Sequence, residues 1–390
     1  MSGRLSDKAP RMNIEIVGVH PANKGALLML EAIRAQLAPR FPNARFAVPF
    51  TWPPDQRIKY GLWATVPNDL GRVDFSKWSS LVPARLLRPL GVLLPKDIDV
   101  RLDASGFAYG DYWGPRKLNR RLVGPSTGWK RAGKSLILLP QAVGPFDKPG
   151  MAEAFRAALR GVDLAYVRDS VSMAYVKAVA PDASNIRQAP DFTNLLKPEL
   201  PNRLSHLRGA ALVVPNERVV QGDGENRRTY LSFLAQAVRE LQARGFPVAI
   251  VLHEGSGDRA LATALNSHLS TPLEVIDEEQ ALTTKAVISA ASVVISSRFH
   301  ALVSALSAAV PALACGWSHK YRELMSDYGC DDFTISLTQP STWSERVGVL
   351  AAAVHDREFL QALSDRAAHQ RRLSEMMWKE VIELIEARQA

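Results

Sequence analysis

Cysteine is scarce, with only Cys315 and Cys330 among 390 residues. They form no C-x-x-C pair, and their spacing matches neither a zinc site nor a disulfide framework, which points to a reducing cytoplasm. Long apolar runs are missing as well. The first begins only at Ile14 and has the length of a strand, so no secretion signal is read at the N-terminus. The most membrane-like stretch, LVPARLLRPLGVLLP at 81–95, is too short to span a bilayer and is broken by prolines and arginines. It is suited at most to lying on a membrane surface. No H-E-x-x-H metal helix occurs, and no serine-nucleophile elbow between a strand and a helix is found. Hydrolase and metalloenzyme chemistry lose weight accordingly, and neither a metal nor a cofactor is expected.

Positive charge is plentiful. The formal net charge is +9, and between Asp111 and Asp147 stand seven basic residues and no acid: Arg116, Lys117, Arg120, Arg121, Lys130, Arg131 and Lys134. A solvated basic loop is the plain reading of that segment. The functional reading is an anionic partner, such as a phosphorylated metabolite or an acidic membrane surface. No DNA-binding or RNA-binding motif accompanies the charge, so nucleic acid is not expected.

A chain of this length exceeds what one core usually supports, so two domains are expected. Short β-type runs alternate with helical patterns in both halves, the signature of parallel sheets wrapped by helices. In the second half, strands are predicted at 210–215, 247–253, 292–296 and 311–316, separated by helices near 226–244, 258–269, 279–290 and 298–309. The first half opens with the strand NIEIVGV, turns through HPANKG and enters a helix; further strands are predicted at 98–105, 135–141, 164–169 and 186–191. A boundary falls in the proline-rich stretch 194–209. The expected organisation is therefore an α/β domain over 12–195, a second over 208–355, and a long C-terminal helix within 356–390.

In doubly wound sheets ligands gather beyond the carboxyl ends of strands. After the predicted strand SVVIS, Ser296 or Ser297 is a natural N-cap, which would put Arg298 and His300 in the first turn of the next helix. Free backbone N–H groups there favour anions, Arg298 adds a planar fork, and His300 can exchange a proton. A structural ion pair for Arg298 and a core hydrogen bond for His300 are the bland alternatives. Asn23, Lys24 and Gly25 sit at another strand-to-helix turn, without the spacing of a P-loop or G-x-G-x-x-G. Arg168 and Asp169 follow a strand, where a mutual or capping salt bridge is the plain expectation. His253 and Asp258 follow another, and DASGFAYGDYWG at 103–114 mixes glycine, acids and aromatics as sugar-binding loops do.

NKGALLML, DASGFAYGDYWG, LLPQAVGPF, YVRDSVSMAYV, APDFTNLL, VLHEGSGD and SSRFHALVSALSAAVPALACGWSHKY occur in this order. Together they resemble the polysaccharide pyruvyl transferase family from about residue 13 to 330. The resemblance implies two Rossmann-like domains facing a cleft, as in GT-B glycosyltransferases. It implies transfer of pyruvate from phosphoenolpyruvate, a co-substrate, to a sugar as a ketal, with release of phosphate. It makes Arg298 and His300 the catalytic pair, His300 as acid or base and Arg298 with Arg168 holding the donor's carboxylate and phosphate. Lys320, Asn23, Gly25, His253 and Asp103 become substrate-binding candidates, with the acceptor on the first domain and phosphoenolpyruvate on the second.

Two positions depart from the family's pattern: Leu27 stands where an acid is common, and Phe299 replaces a leucine. The segment 50–97, with Trp52, Trp63 and Trp78, is left as a region for acceptor specificity. The acceptor is expected to be a glycan or lipid-linked sugar of exopolysaccharide or cell-surface assembly. The expected location is the cytoplasm or the inner face of the membrane. The first alternative is a GT-B glycosyltransferase using a nucleotide sugar, with Glu278 or Glu279 on the ribose; the second is a catalytically silent glycan-binding protein.

Overall fold

The structure, a computed structural model, describes residues 12–66, 83–123, 129–220, 224–316 and 319–388. Trp78 and residues 81–82 of the membrane-like stretch lie outside them. Among the described residues fourteen strands form two parallel sheets. The first contains β1 (Asn13–Val17), β2 (Arg45–Pro49), β3 (Trp63–Thr65), β4 (Val92–Leu93), β5 (Val100–Asp103), β6 (Phe107–Tyr109), β7 (Ser135–Val143), β8 (Leu164–Val167) and β9 (Ile186–Gln188). Their order is β4-β3-β2-β1-β5-β7-β8-β9, with β6 beside β7. The second sheet contains β10 (Ala211–Val214), β11 (Val248–Val251), β12 (Glu274–Ile276), β13 (Val293–Ser296) and β14 (Ala312–Ala314), ordered β12-β11-β10-β13-β14.

The residue choice explains the layering. A parallel sheet covered on both faces reads as a continuous apolar run, and all nine residues of β7 are buried. Chain order reverses between β1 and β5 in the first sheet and between β10 and β13 in the second. Those are the topological switch points at which doubly wound sheets open a ligand crevice. The segments expected to carry chemistry, 18–25, 103–114 and 296–300, leave the sheets at these points.

Each domain has its own core, and the last helix, Arg357–Ala387, serves both. Its Leu363 and Ala367 pack into the second core, whereas Met377, Trp378, Val381 and Ile385 pack into the first. Helix Phe299–Ser307 is buried on nearly every side, because helix Ala281–Ser289, the 192–195 turn and the C-terminal helix all pack against it. Its small residues permit that crowding. The described part of the membrane-like stretch is a short helix, Ala84–Leu87, a 3₁₀ turn and β4, with Leu93 and Leu94 buried and Leu86 and Leu90 exposed. Among the described residues, no helix is long and apolar enough to cross a membrane.

Candidate active site in the interdomain cleft

A cleft of about 300 Å³ opens between the carboxyl ends of the two sheets, at the lower end of the volumes usual for small-ligand sites. Six of its lining residues are Lys or Arg, namely Lys117, Arg121, Arg168, Arg218, Arg298 and Lys320, and one is a carboxylate, Glu254. An excess of this kind in a low-dielectric crevice attracts anions. His253 and His300 also line it.

Arg298 is the N-cap of helix Phe299–Ser307 rather than a residue of its first turn. Ser296 Oγ accepts from the Arg298 N–H at 2.9 Å, so the serine caps the turn before the helix instead of the helix itself. The guanidinium is buried and committed: Nε and Nη2 donate to Asp258 at 3.0 and 2.5 Å, and Nη1 donates to Glu254. A buried arginine fork needs such partners to offset desolvation. Expected as a ligand for the donor's anions, Arg298 lines the cleft with its fork already spent on two carboxylates. Burial acts to raise the Asp258 carboxyl above its usual range, against the pull of Arg298 and two backbone N–H groups.

His300 lies in the first helical turn. Its Nε2 stands 3.4 Å from Asp191 Oδ2, and the same oxygen accepts from Arg168 Nη1 at 3.3 Å. Asp191 Oδ1 accepts from the Thr193 N–H and Oγ1–H at 3.1 and 2.6 Å. Burial alone would raise the Asp191 carboxyl, but His300, Arg168 and Thr193 together hold it well below the usual carboxylate range. A carboxylate at Nε2 favours the proton on that nitrogen and leaves Nδ1 as the other exchangeable position of the ring. A Cβ on Gly25 would meet Nδ1 at 2.3 Å, so only glycine lets helix Lys24–Leu37 pass so close.

Arg168 pairs with Asp191 rather than Asp169, which instead caps helix Ser170–Val179 through the Ser172 N–H at 2.7 Å. The Arg168 guanidinium carbon lies 3.9 Å from the Phe299 ring centroid, a stacking geometry that the phenylalanine at this position supplies. Lys320 Nζ lies within 5.5 Å of the Phe107 and Phe299 rings. Burial first, and then Arg168, Arg218 and Arg298, bring its pKa down to about 7. His253, at the end of β11, is held well below its ordinary value by burial and by Arg298, His300 and Lys24, which keeps it neutral.

The first domain reaches across at one turn. Asn23 caps helix Lys24–Leu37 through the Ala26 N–H and donates Nδ2 to Glu254 Oε1 at 3.0 Å, while Lys24 Nζ donates to the Leu252 carbonyl at 2.7 Å. Asp103 is fully buried beneath the cleft. It accepts from the Tyr109 hydroxyl and from the Ser105 N–H, at 2.9 Å for the latter, and so shapes the loop above it without lining the cleft itself. Of the sequence candidates, the cleft lining unites Arg168, Arg298, His300, Lys320, Asn23 and His253, with Gly25 directly behind His300.

Five residues at the cleft were not singled out individually beforehand: Asp191, Glu254, Arg218, Lys117 and Arg121. Asp191 sits inside APDFTNLL, so its signal was an acid just past a strand. Arg121 lay within the basic segment, where nothing in the letters distinguishes a cleft-facing arginine from a solvated one. Trp52, set aside for acceptor specificity, is instead a core residue whose Nε1–H donates to the Val19 carbonyl at 3.2 Å. Among the described residues, no group of three or more His, Cys, Asp or Glu is placed to hold a metal.

Two Rossmann-like domains with a cationic crevice between them place the protein in the GT-B-like class. Solved structures agree. A Listeria monocytogenes protein assigned as a UDP-N-acetylglucosamine 2-epimerase aligns with TM-score 0.62 at 11% identity, covering 97% of this chain and 98% of its own. A glycosyltransferase from Rickettsia africae aligns with TM-score 0.60 at 9% identity over 97% and 99%. The S. aureus MnaA–UDP structure aligns with TM-score 0.57 at 12% identity over 96% and 97%. At these identities the likeness is one of fold. Among curated proteins no significant sequence match was found. The chain belongs to the polysaccharide pyruvyl transferase family, whose model matches residues 23–319.

Proposed function

We propose that the protein transfers the pyruvyl group of phosphoenolpyruvate to two hydroxyls of a sugar in exopolysaccharide or cell-surface glycan assembly, forming a ketal and releasing phosphate. The observation that carries the reading is the pairing of a cationic cleft with a single oriented histidine, His300 on Asp191. The scheme needs no metal or cofactor, and it places the enzyme in the cytoplasm or at the inner face of the membrane.

In this scheme Arg168, Arg218 and Lys320 hold the donor's carboxylate and phosphate. Arg298 acts through the turn and the two carboxylates it fixes. Protonated His300 delivers its proton to the methylene carbon, and the adjacent carbon takes on oxocarbenium character. One sugar hydroxyl attacks that carbon and returns a proton to His300. The second hydroxyl closes the ring as phosphate departs with the other proton. Proton transfer by a positioned group is worth about 10²- to 10⁴-fold, and preorganised cations stabilise the leaving phosphate.

The test is phosphate release from phosphoenolpyruvate in the presence of a panel of acceptor glycans, with the ketal identified by mass spectrometry. Absence of release with every acceptor, together with tight binding of a nucleotide sugar, would sink the reading in favour of a glycosyltransferase. The residues proposed to hold a ribose speak against that alternative. Glu278 accepts both Nη groups of Arg203 at 2.6 Å, Glu279 pairs with Lys59 at 2.5 Å, and neither lines the cleft.

A further inference from the structure

The chain crosses between the domains twice, and both crossings meet at the opposite end of helix Phe299–Ser307 from His300. Residues 196–198 lead out of the first domain, and helix Arg357–Ala387 returns to it between Ala367, in the second core, and Met377, in the first. Asn194 Nδ2 ties the two crossings together by donating to the Gln370 carbonyl at 3.1 Å. Beside this tie opens a pocket of about 270 Å³, whose polar lining is Lys197, Arg371, Ser289, Ser307 and Ser364. It shares no residue with the interdomain cleft.

The charge around this pocket is one-sided. Among the described residues no carboxylate lines it, and none lies within ion-pair distance of Lys197, Arg371 or the neighbouring Lys285. Lys285 is 1% exposed and stands behind Ser307, to whose Oγ its Nζ donates at 3.2 Å. That is a single hydroxyl for an ammonium with three donors, and a buried charge without a counter-ion is costly. Burial, working against the charge of Asp191, brings its pKa down to about 8, so the group stays largely charged at neutral pH. Arg371 is half-buried and spends Nη1 on the Ser307 carbonyl at 2.7 Å, which leaves Nε and Nη2 with no acceptor among the described residues. Helices Ala281–Ser289 and Phe299–Ser307 both end at the pocket, and their carbonyl ends together supply about one negative charge. Set against three cations, that leaves an excess of about two positive charges.

We propose that this pocket is a second binding site, for a small phosphate-bearing anion seated between Lys197 and Arg371, with the three serine hydroxyls around it and Lys285 as the charge beneath. A phosphate group carries about 1.5 to 2 negative charges near neutral pH, which matches the excess, and the free edge of the Arg371 fork fits its oxygens. The volume is just below that of drug-sized sites, as a small ligand requires. An occupant bridges the outgoing and the returning crossing, so it stiffens the junction on which the seating of His300 against Asp191 depends. The site stands independently of the pyruvyl-transfer reading.

The probe is inorganic phosphate on the full chain, read by hydrogen exchange, because the cationic cleft also attracts phosphate and a segment-resolved signal separates the two sites. Phosphate should slow exchange in segments 194–199, 305–310 and 364–372, which line the pocket, whereas chloride at equal ionic strength should not. The protection should persist in Lys320→Gln, which weakens the cleft alone. Lys197 is exposed and has no partner among the described residues, so Lys197→Gln keeps the fold. In that variant the phosphate concentration giving half-maximal protection should rise about tenfold, the worth of one hydrogen bond to a charged group, and Lys197→Arg should restore it. Arg371→Gln should raise it at least as far; its unfolding midpoint is measured alongside because it also gives up the bond to the Ser307 carbonyl. Protection confined to segments of the cleft, equal protection by chloride, or protection that Lys197→Gln leaves unchanged overturns the site.

Discussion

His300 and Asp191 meet across the domain junction, Nε2 to Oδ2 at 3.4 Å. The histidine belongs to the second domain and the aspartate to the end of the first, so the imidazole proposed to transfer the proton is oriented only when the domains are seated together. Replacing Asp191 by Asn preserves shape but removes the charge that selects the tautomer and anchors Arg168. Phosphate release should fall within the roughly 10²- to 10⁴-fold range that acid–base catalysis contributes. The loss should appear in kcat, because the imidazole loses the anion that orients it. A change confined to the KM for phosphoenolpyruvate would show that the aspartate serves Arg168 alone.

Gly25→Ala tests the close approach on the other side of the ring. A Cβ there would lie 2.3 Å from His300 Nδ1. Displacing a reacting group by about 1 Å can cost about 10²-fold in rate, and a loss of that order in kcat is expected. Thermal unfolding should stay close to the wild type, since the imidazole can swing aside. An active Gly25→Ala enzyme would place the working nitrogen elsewhere.

Lys320, with its pKa brought down to about 7, gives the proposed donor site a pH dependence. Its ammonium is present below that value and lost above it, and a bound phosphate favours the charged form. The KM for phosphoenolpyruvate should therefore be flat below about pH 7 and climb above it by at most tenfold per unit. Lys320→Arg should abolish the climb. The effect on stability has a definite sign. The unfolded chain holds this proton up to about 10.5, more tightly than the folded one, so the lysine's cost to the fold diminishes as pH rises from about 7 toward 10.5. Chemical denaturation of wild type and Lys320→Met across that interval should converge at the alkaline end.

Trp378 is 1% exposed and packs edge-on against Phe192, with ring centroids 5.6 Å apart. Trp378→Ala should destabilise the first domain by about 3 to 5 kcal/mol, although the residue lies near the end of the chain. Urea unfolding followed by tryptophan fluorescence and by circular dichroism would show it. A loss below 1 kcal/mol would mean that the helix end is only loosely attached.

Much of this architecture was legible because parallel strands flanked by helices write themselves as apolar runs. The strands at 135–141, 211–214 and 293–296 fall where such runs predict them. β2, β3, β4, β6 and β12 were passed over. β4 has two residues and β3, β6 and β12 three, too short for periodicity to register, and their place is set by neighbouring strands. In the cleft, residue type and position after a strand singled out Arg168, Arg298 and His300, and the family resemblance added Lys320. What no local pattern disclosed was pairing. That Arg298 would be occupied by Asp258 and Glu254, and that Asp191 would stand opposite His300, depends on contacts between residues 40 to 109 positions apart, which only the packed domains bring together.

The path of helix Arg357–Ala387 has a further consequence for how the molecule can be taken apart. It starts on the second domain and finishes in the first, where Trp378, Val381 and Ile385 fill the core and Arg388 pairs with Asp163 at 2.6 Å. A fragment ending at the apparent boundary near residue 200 would thus display an apolar trough in place of that helix, while its counterpart would trail the missing piece. The lobes are dissected cleanly only by a permuted chain in which residues 370–388 are fused to the first lobe. Two separately expressed halves should recover activity when mixed, through recapture of that helix.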